Sequence, residues 1–214
     1  MAIRLLPYRQ YDEADVFNAY YMYTTQGIEN PDTQGNNAAG VVVHVGAGNL
    51  NDDPVNLTEG AGEDPRKQHA SPIGRNGIPV AQGYVVATAA NNVRPIGITL
   101  NQTLKFDENG EPLLYNPTKL TELQAVLPYQ AVPVVSKGIF TLTEDAFITG
   151  HTYAPGTKLG FGIQGNQAGL LVNYDEQPSF ALGDAYSVGT IIGTGSRAAG
   201  DGYAGNYYMV KLDF

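Results

Sequence analysis

Cysteine is absent from this sequence of 214 residues, so neither a disulfide nor thiolate chemistry is available to the protein. Its stability must come from burial, from hydrogen bonds or from assembly with other subunits. Long apolar runs are also absent, since no stretch approaches the roughly 18 residues of a membrane-spanning helix. The N-terminal residues lack the apolar core of a secretory signal. We therefore expect a soluble protein with no membrane partner and no export signal of that kind.

Positive charge is scarce. Twelve lysines and arginines stand against 21 aspartates and glutamates, which gives a formal net charge of −9. The basic residues are scattered along the chain, and only Arg66 and Lys67 are adjacent. Binding of nucleic acid requires clustered positive charge. We therefore expect no nucleic-acid partner.

Glycine and proline, in contrast, are abundant, with 26 and 13 copies, and only 15% of the residues are charged. This composition excludes a coiled coil or another long-helix protein. The hydrophobic fraction of 43%, with 14 tyrosines and 7 phenylalanines, is too high for an intrinsically disordered chain. We expect a folded protein made mostly of β-structure.

Short β-rich runs separated by glycine or asparagine recur from residue 79 onwards. We predict strands at 80–88, 93–100, 104–106, 113–115, 132–142, 158–163, 170–173, 187–192 and 207–214. Many short strands at this spacing favour a barrel or a sandwich over βαβ units. The predicted fold class is therefore all-β: a small β-barrel or sandwich with an extended N-terminal arm and short helices.

The chain divides by composition into three regions, at 1–25, 26–78 and 79–214. The last region is the predicted main β-barrel or sandwich domain. The middle region contains a β-branched run at 38–45, which is typical of a strand buried on both faces. A long loop follows at 46–78, and loops of this length usually bind a ligand or drape over a neighbouring subunit.

The first region, the N-terminal arm, is rich in large apolar and aromatic residues, and Pro7 favours an extended lead-in. The pattern from Asp12 to Asp15, an N-cap followed by an acid, predicts one or two helical turns that continue through about Tyr20. Two interpretations of the arm remain open. It packs on its own domain, or it packs on a partner.

Two local signals predict a turn and a helix in the last region. Asn109-Gly110, between two apolar runs, predicts a tight hairpin in which both central residues have positive φ. Asn116-Pro117 predicts the start of a short helix that runs to about Gln124. Leu120 and Leu123 would lie on one face of that helix.

No motif predicts a catalytic, cofactor-binding or metal site. The best match is G-x-G-x-x-A at 193–198, but three glycines at 200–205 interrupt the helix that a dinucleotide site requires. We interpret this segment as a glycine-rich hairpin loop. The three histidines, His44, His69 and His151, have no metal-site spacing, and no serine lies in a nucleophile elbow. We therefore expect a protein that is not an enzyme and holds no cofactor.

Acidic pairs are the remaining candidates for chemistry, because two suitably spaced carboxylates can hydrolyse a glycosidic bond. Almost all of them fall in predicted turns, where such pairs are usually solvated. They are Asp52, Asp53, Glu59, Glu63, Asp64, Asp107, Glu108, Glu144, Asp145, Asp175 and Glu176. The segment 49–53 offers oxygen ligands for calcium but follows no calcium-loop pattern.

Tyrosines offer rings for a carbohydrate-binding surface or, equally, for a protein interface. They are Tyr186, Tyr203, Tyr207 and Tyr208. The sequence leaves these two alternatives open.

The N-terminal phrase RLLPYRQYDE at 4–13, running into DVFN at 15–18, resembles the opening of head-associated structural proteins of tailed bacteriophages. The rest of the chain is similar to the β-barrel decoration (cement) proteins that bind phage heads. The strand phrases that carry this likeness are VVAT at 85–88, RPIGIT at 94–99, VPVVSKGIF at 132–140, PGTKL at 155–159, VGTII at 188–192 and YMVKL at 208–212.

The resemblance implies a non-enzymatic virion structural protein that binds the outer surface of a capsid and stabilises it. The implied partners are the major capsid protein and other copies of the chain, in a trimer or another small homo-oligomer. The implied location is the capsid exterior of the virion, after synthesis in the host cytoplasm. The residues that we expect to contact the capsid belong to the arm. They are Leu5, Leu6, Tyr8, Arg9, Tyr11, Val16, Phe17 and Tyr20.

Two other functions remain as alternatives. The first is another structural part of the virion, such as a tail, neck or fibre-base protein, which would share the composition but occupy one vertex or the tail. The second is a carbohydrate-binding or glycan-cleaving module.

Overall fold

The computed structural model describes residues 5–21, 38–45, 83–86, 94–127, 130–162, 169–176, 187–198 and 204–214. They form thirteen strands and one short α-helix, which confirms the all-β class. The strands are β1 (Leu5–Gln10), β2 (Val16–Tyr21), β3 (Val42–Val45), β4 (Gly83–Val86), β5 (Pro95–Thr99), β6 (Gln102–Thr103), β7 (Ala125–Val126), β8 (Ala131–Val135), β9 (Lys137–Thr143), β10 (Lys158–Phe161), β11 (Leu171–Asn173), β12 (Gly189–Arg197) and β13 (Gly205–Asp213).

Helical structure is limited to short pieces. The α-helix is α1 (Pro117–Glu122), and single 3₁₀ turns occur at Glu13–Asp15, Leu113–Tyr115, Glu144–Ala146 and Tyr174–Glu176. Within the described segments, no helix combines the length and the hydrophobicity that crossing a bilayer requires.

The larger sheet is open and has six strands in the order β1-β9-β13-β12-β10-β11. Every pair of neighbours in it is antiparallel. Its centre is the long hairpin of β12 and β13, which pair from Gly189–Leu212 to Arg197–Gly205. The two edges of this sheet are β1 and β11, because each of them pairs with a single neighbour among the described strands.

A second set of five short strands pairs in the closed order β2-β4-β3-β5-β8, with β8 returning to β2. Four of these pairings are antiparallel, and β2 and β4 are parallel. The run 41–44 is buried throughout, as the β-branched sequence predicted for a strand covered on both faces. Val42 packs into the core of the larger sheet, and Val41 and Val43 pack into the core of the smaller one.

The N-terminal segment joins both sheets. After β1, Asp12 caps the 3₁₀ turn by accepting a hydrogen bond from the Ala14 backbone N–H at 2.8 Å. The turn ends after three residues, and β2 pairs with β8 from Val16–Val135 to Tyr20–Ala131. The predicted helix through Tyr20 is therefore wrong, because pairing with β8 satisfies the backbone of 16–20 better than one more helical turn would.

The predicted strand at 132–142 is interrupted at Ser136, where the chain passes from one sheet to the other. Both the backbone N–H and the hydroxyl of Ser136 donate to the Asp15 carbonyl, at 3.0 and 3.1 Å. The segments 5–21 and 131–143 therefore run antiparallel to each other across both sheets. The predicted arm (1–25) is therefore joined to the predicted main domain (79–214) by the pairings of β1 with β9 and of β2 with β8.

The predicted helix begins as expected, since the Asn116 side chain accepts from the Lys119 backbone N–H at 3.2 Å. It ends at Glu122 rather than Gln124, and Leu120 and Leu123 pack on a small core of Leu104, Leu113 and Ala125. The predicted strand at 113–115 is a 3₁₀ turn instead.

The predicted tight turn at 109–110 exists in another form. The Gly110 N–H donates to the Asp107 carbonyl. Of the two residues predicted to have positive φ, only Gly110, with a φ of +82°, is left-handed. The prediction of positive φ at Asn109 is wrong because the Asp107 carboxylate accepts from the N–H groups of Asn109 and Glu111, which fixes a turn that starts at Asp107.

Candidate interaction surface

The N-terminal edge strand β1 is the strongest candidate for a functional surface. Buried and exposed side chains do not alternate regularly along β1, because the pairing with β9 shifts register between Leu5 and Arg9. Pro7 lies at this irregularity, where an edge strand tolerates the missing N–H group. One side of β1 is joined to β9, and the other side carries no strand within the described part of the chain.

Four of the predicted contact residues pack inside the fold. Leu6 is buried, with 6% of its surface exposed. Leu5 and Val16 pack on the core of the larger sheet, and Phe17 packs on the core of the smaller one. These four side chains hold the N-terminal segment in place. Of Tyr20 only the backbone, paired with Ala131, belongs to the described structure.

Two of the predicted contact residues are exposed. Tyr8 is 57% exposed and Tyr11 is 37% exposed. The Tyr11 ring stacks on the buried Phe140 ring, with centroids 6.0 Å apart and planes 18° apart. Tyr11 is therefore held by the core on one face while the rest of its ring reaches solvent.

Arg9 is the remaining predicted contact residue, and it binds within the chain. Its guanidinium donates to the Gln124 Oε1 at 2.8 Å and, at 3.4 Å, to the Leu100 carbonyl. Gln124 follows α1 and has a φ of +48°, the left-handed conformation that ends many helices. Arg9 thereby links β1 to the segment that contains α1.

A second cluster joins the turn at 107–111 to α1. The Lys119 ammonium lies 2.6 Å from the Asp107 Oδ2 and 2.9 Å from the Glu108 Oε1. The Asp107 side chain is buried, and its other oxygen accepts from two backbone N–H groups. Hydrogen bonds from Lys119 and then from the Glu111 backbone lower the pKa of Asp107, and the hydrogen bond from Lys119 lowers the pKa of Glu108. The hydrogen bonds that Lys119 donates to Asp107 and Glu108 raise the pKa of Lys119 itself.

The cluster of Asp107, Glu108 and Lys119 predicts that the segment 105–122 is sensitive to acid. Asp107 and Glu108 have lower pKa values in the folded chain than in the unfolded one, so they contribute stability above about pH 4 that is lost as the pH falls through the folded values. Lys119 has the opposite sign, so its contribution is lost only at alkaline pH. We expect amide exchange in 105–122, measured between about pH 5 and pH 2 after correction for intrinsic rates, to lose protection before the large sheet does.

The Asp107→Asn variant separates charge from hydrogen bonding, because an amide oxygen still accepts from the two backbone N–H groups. We expect it to be less protected at neutral pH and to change less on acidification. An equal acid-dependent loss in both proteins would assign the acid sensitivity to other groups.

The structure also brings together a histidine and a carboxylate that are 25 residues apart. His151 Nδ1 lies 3.1 Å from the Glu176 Oε2, which also accepts from the Thr152 backbone N–H at 2.9 Å. These contacts lower the pKa of Glu176, the Thr152 hydrogen bond most. No local spacing reveals this pair, because β11 lies between its members in the chain.

The tyrosines proposed as carbohydrate-binding rings do not share a face where they are described. Tyr207 and Tyr208 are neighbours on β13, so their side chains leave opposite faces of the sheet. Tyr208 packs against Phe147 and Tyr153, with centroids 4.7 and 5.5 Å away. The Arg197 guanidinium lies 5.7 Å from the centroid of the Tyr207 ring. Tyr186 and Tyr203 lie outside the described residues.

The G-x-G-x-x-A match proves to be strand rather than hairpin loop as far as Arg197. Gly193 and Gly195 pair with Met209 and Tyr207 in the β12–β13 ladder. A β-carbon at Gly195 would lie 2.4 Å from the Tyr207 ring, so this glycine makes room for an aromatic side chain.

Several other candidates from the sequence fall outside the described residues: the loop 46–78 with its acidic residues and the calcium candidate 49–53, and His69. His44 is described and is buried in β3. Among the described residues, no group of three or more histidines and carboxylates is placed to hold a metal ion.

Comparison with protein-family models, with curated proteins and with solved structures found no match to this chain.

Proposed function

We propose that the protein is a non-enzymatic structural protein of a phage particle, which binds the outer surface of the capsid and stabilises it. Its partner in this role is the major capsid protein. A trimer or another small homo-oligomer is the form in which it binds, on the capsid exterior of the virion. The proposal starts from the resemblance of residues 4–13 to head-associated phage proteins.

The observation that carries the proposal is the exposure of Tyr8 and Tyr11 beside a strand that is otherwise fixed. Leu6 is buried and Arg9 is hydrogen-bonded, so the backbone is held on both sides of Tyr8, and the Tyr11 ring is held by its stacking on Phe140. Tyrosine is enriched at the centres of protein interfaces, where a large ring is ordered at a small entropic cost. Rings presented on a rigid strand lose still less entropy on docking.

The proposed contact is narrower than the set expected from the sequence. Tyr8 and Tyr11 make it, because their rings reach solvent. Leu5 supports β1 from inside the fold, and Val16 and Phe17 do the same for β2, which follows it. A strand held in this way resists displacement when a shell expands or is under internal pressure.

Co-sedimentation with purified heads that lack this protein tests the proposal. The full chain is expected to pellet with heads at many copies per particle, spread over the capsid surface. Tyr8→Ala/Tyr11→Ala is expected to bind at least about 30-fold more weakly, since truncating each of two anchor residues at an interface costs more than about 1 kcal/mol and every 1.4 kcal/mol is tenfold. Tyr8→Ala alone, at the more exposed site, gives a smaller loss in the same direction.

Ile192→Ala is the matched control, because Ile192 is a large exposed side chain, 46% accessible, on β12 of the same sheet. It is expected to bind like the full chain. If the tyrosine variants bind as tightly as the full chain, β1 is not part of the contact, and the decoration role still stands. A handful of copies at a single vertex would support a neck or tail protein, and no binding to heads would contradict the proposal.

A further inference from the structure

Asn109-Gly110 is the only Asn-Gly pair in the described part of the chain. The backbone nitrogen of the residue after an asparagine can attack the asparagine side-chain amide, and a glycine there has no β-carbon to hinder the approach. Both residues of the pair are exposed, and a β-carbon placed on Gly110 would meet no atom within 4 Å. The other asparagines in the described segments each precede a residue with a β-carbon. They are Asn18, Asn101, Asn116, Asn173 and Asn206.

The reaction at such a pair is intramolecular and consumes only water. The Gly110 nitrogen bonds to the Asn109 Cγ, the bond from Cγ to the side-chain nitrogen breaks, and ammonia leaves with the proton that the Gly110 nitrogen has lost. The product is a five-membered cyclic imide. Water then opens the imide at either of its two carbonyl carbons, which leaves an aspartyl or an isoaspartyl residue at position 109. No oxidant or reductant takes part.

Asp107 opposes the first step of this reaction. The Gly110 N–H donates to the Asp107 carbonyl at 3.1 Å, so removing its proton breaks a hydrogen bond. On either side of Gly110, the N–H groups of Asn109 and Glu111 both donate to the Asp107 Oδ1 at 2.8 Å. A peptide anion at Gly110 would therefore form beside a carboxylate, and the repulsion between like charges disfavours it.

The Asp107 carboxylate is itself held by α1. Its second oxygen, Oδ2, lies 2.6 Å from the Lys119 ammonium, and the Asp107 side chain is 1% exposed. This ion pair fixes the carboxylate with its first oxygen toward the backbone of the turn. Opening the turn far enough for Gly110 to attack therefore breaks the hydrogen bonds to Asp107 and disturbs a contact with the helix at the same time.

We propose that Asn109-Gly110 is a site of spontaneous deamidation, and that Asp107 sets its rate by holding the turn closed. The inference is independent of capsid binding, because the reaction needs no partner protein. An isoaspartyl residue at 109 adds one backbone carbon before Gly110, which moves the N–H groups of Gly110 and Glu111 away from Asp107. Either product also adds a negative charge next to Glu108 in the chain. Modification therefore loosens the segment 105–122 irreversibly.

The test follows the conversion at position 109 by peptide mapping with mass spectrometry, at mildly alkaline pH, in the folded chain and in guanidinium chloride. In the denaturant, Asn76-Gly77 is the internal reference, because it is the same pair in the same unfolded chain. The two pairs are expected to react there at comparable rates. In the folded chain, the reaction at Asn109 is expected to be at least tenfold slower than in denaturant, which corresponds to an opening free energy of about 1.4 kcal/mol or more.

Three variants test the role of Asp107 in the folded protein. Asp107→Asn removes the charge but keeps an oxygen that accepts from the two backbone N–H groups, and is expected to deamidate at position 109 several-fold faster. Lys119→Met keeps the carboxylate and removes its partner, and is expected to give a smaller increase. Asn109→Gln is the control, because its longer side chain would have to close a six-membered ring, and is expected to give no product.

Each outcome bears on one step of the inference. Equal rates in the folded chain and in denaturant would overturn protection by the turn. No product at Asn109 in denaturant, under conditions where Asn76 reacts, would overturn the site itself. An unchanged rate in a folded Asp107→Asn variant would overturn the role of Asp107, and Lys119→Met decides this point in the same way if Asp107→Asn does not fold. In the deamidated fraction, amide exchange in 105–122 is expected to increase while that in β12 stays the same.

Discussion

Replacing Phe140 with alanine is expected to lower the free energy of unfolding by about 3–5 kcal/mol. Phe140 is fully buried in the core of the larger sheet. It lies opposite Arg9 on one neighbouring strand and opposite Val210 on the other. Truncation leaves a cavity where three strands meet, and that loss is a large share of the roughly 5–15 kcal/mol by which domains are stable. Urea denaturation measures it.

The substitution is also expected to loosen the proposed contact surface. Tyr11 stacks on Phe140, so the variant removes the support on one face of the Tyr11 ring. Amide exchange in β1 should therefore increase more than exchange in β12. Tyr8→Ala is the contrast, since it truncates an exposed ring on β1 and should change stability by less than about 0.5 kcal/mol. Equal increases of amide exchange in β1 and β12 of the Phe140→Ala variant would show that β1 is not anchored through Phe140.

Gly189→Ala is expected to destabilise the protein by about 3 kcal/mol, because the added methyl group meets backbone. A β-carbon at Gly189 would lie 2.3 Å from the Lys211 carbonyl oxygen and 2.8 Å from the Leu212 Cδ2. Gly189 pairs with Leu159 on one side and with Leu212 on the other, so the clash lies inside the larger sheet. Relief requires that β12 and β13 move apart. The shift in the urea midpoint measures the effect.

Gly193→Ala makes the same substitution four positions further along β12. The nearest atom to its added carbon would be the Met209 Cβ at 4.0 Å, which is ordinary contact. Its stability is expected to stay within about 0.5 kcal/mol of that of the original chain. A loss at Gly193 as large as at Gly189 would mean that glycine is needed along β12 for its backbone conformation rather than for space.

Local patterns predicted the elements whose causes are local. The β-branched run that includes Val42 and Val43 forms β3 and is buried on both faces. Asn116-Pro117 starts α1 because a capping side chain and a fixed φ act within one turn. The turn predicted at Asn109-Gly110 was correct only in part, because it starts at Asp107, whose carboxylate decides its form, and only Gly110 of the pair has positive φ.

The N-terminal segment shows where local patterns stop. Asp12 and Asp15 give a correct helix start, and the 3₁₀ turn begins there. Residues from Val16 onwards have apolar side chains that suit a strand as well as a helix. Pairing with β8 decides between strand and helix, because β8, more than 100 residues away, offers a complete ladder of hydrogen bonds.

The all-β class, most strands and the short helix follow from composition and from spacing within a few residues, because turn and strand preferences act over that range. Long-range packing set which N-terminal side chains face solvent. Leu6 and Tyr8 are both large and apolar in the sequence, yet pairing with β9 buries one and leaves the other exposed. The same packing joins Arg9 to Gln124, Lys119 to Asp107, and His151 to Glu176. The exposure and the pairing of these side chains depend on partners distant in the chain, and those partners come into position only once the sheets have formed.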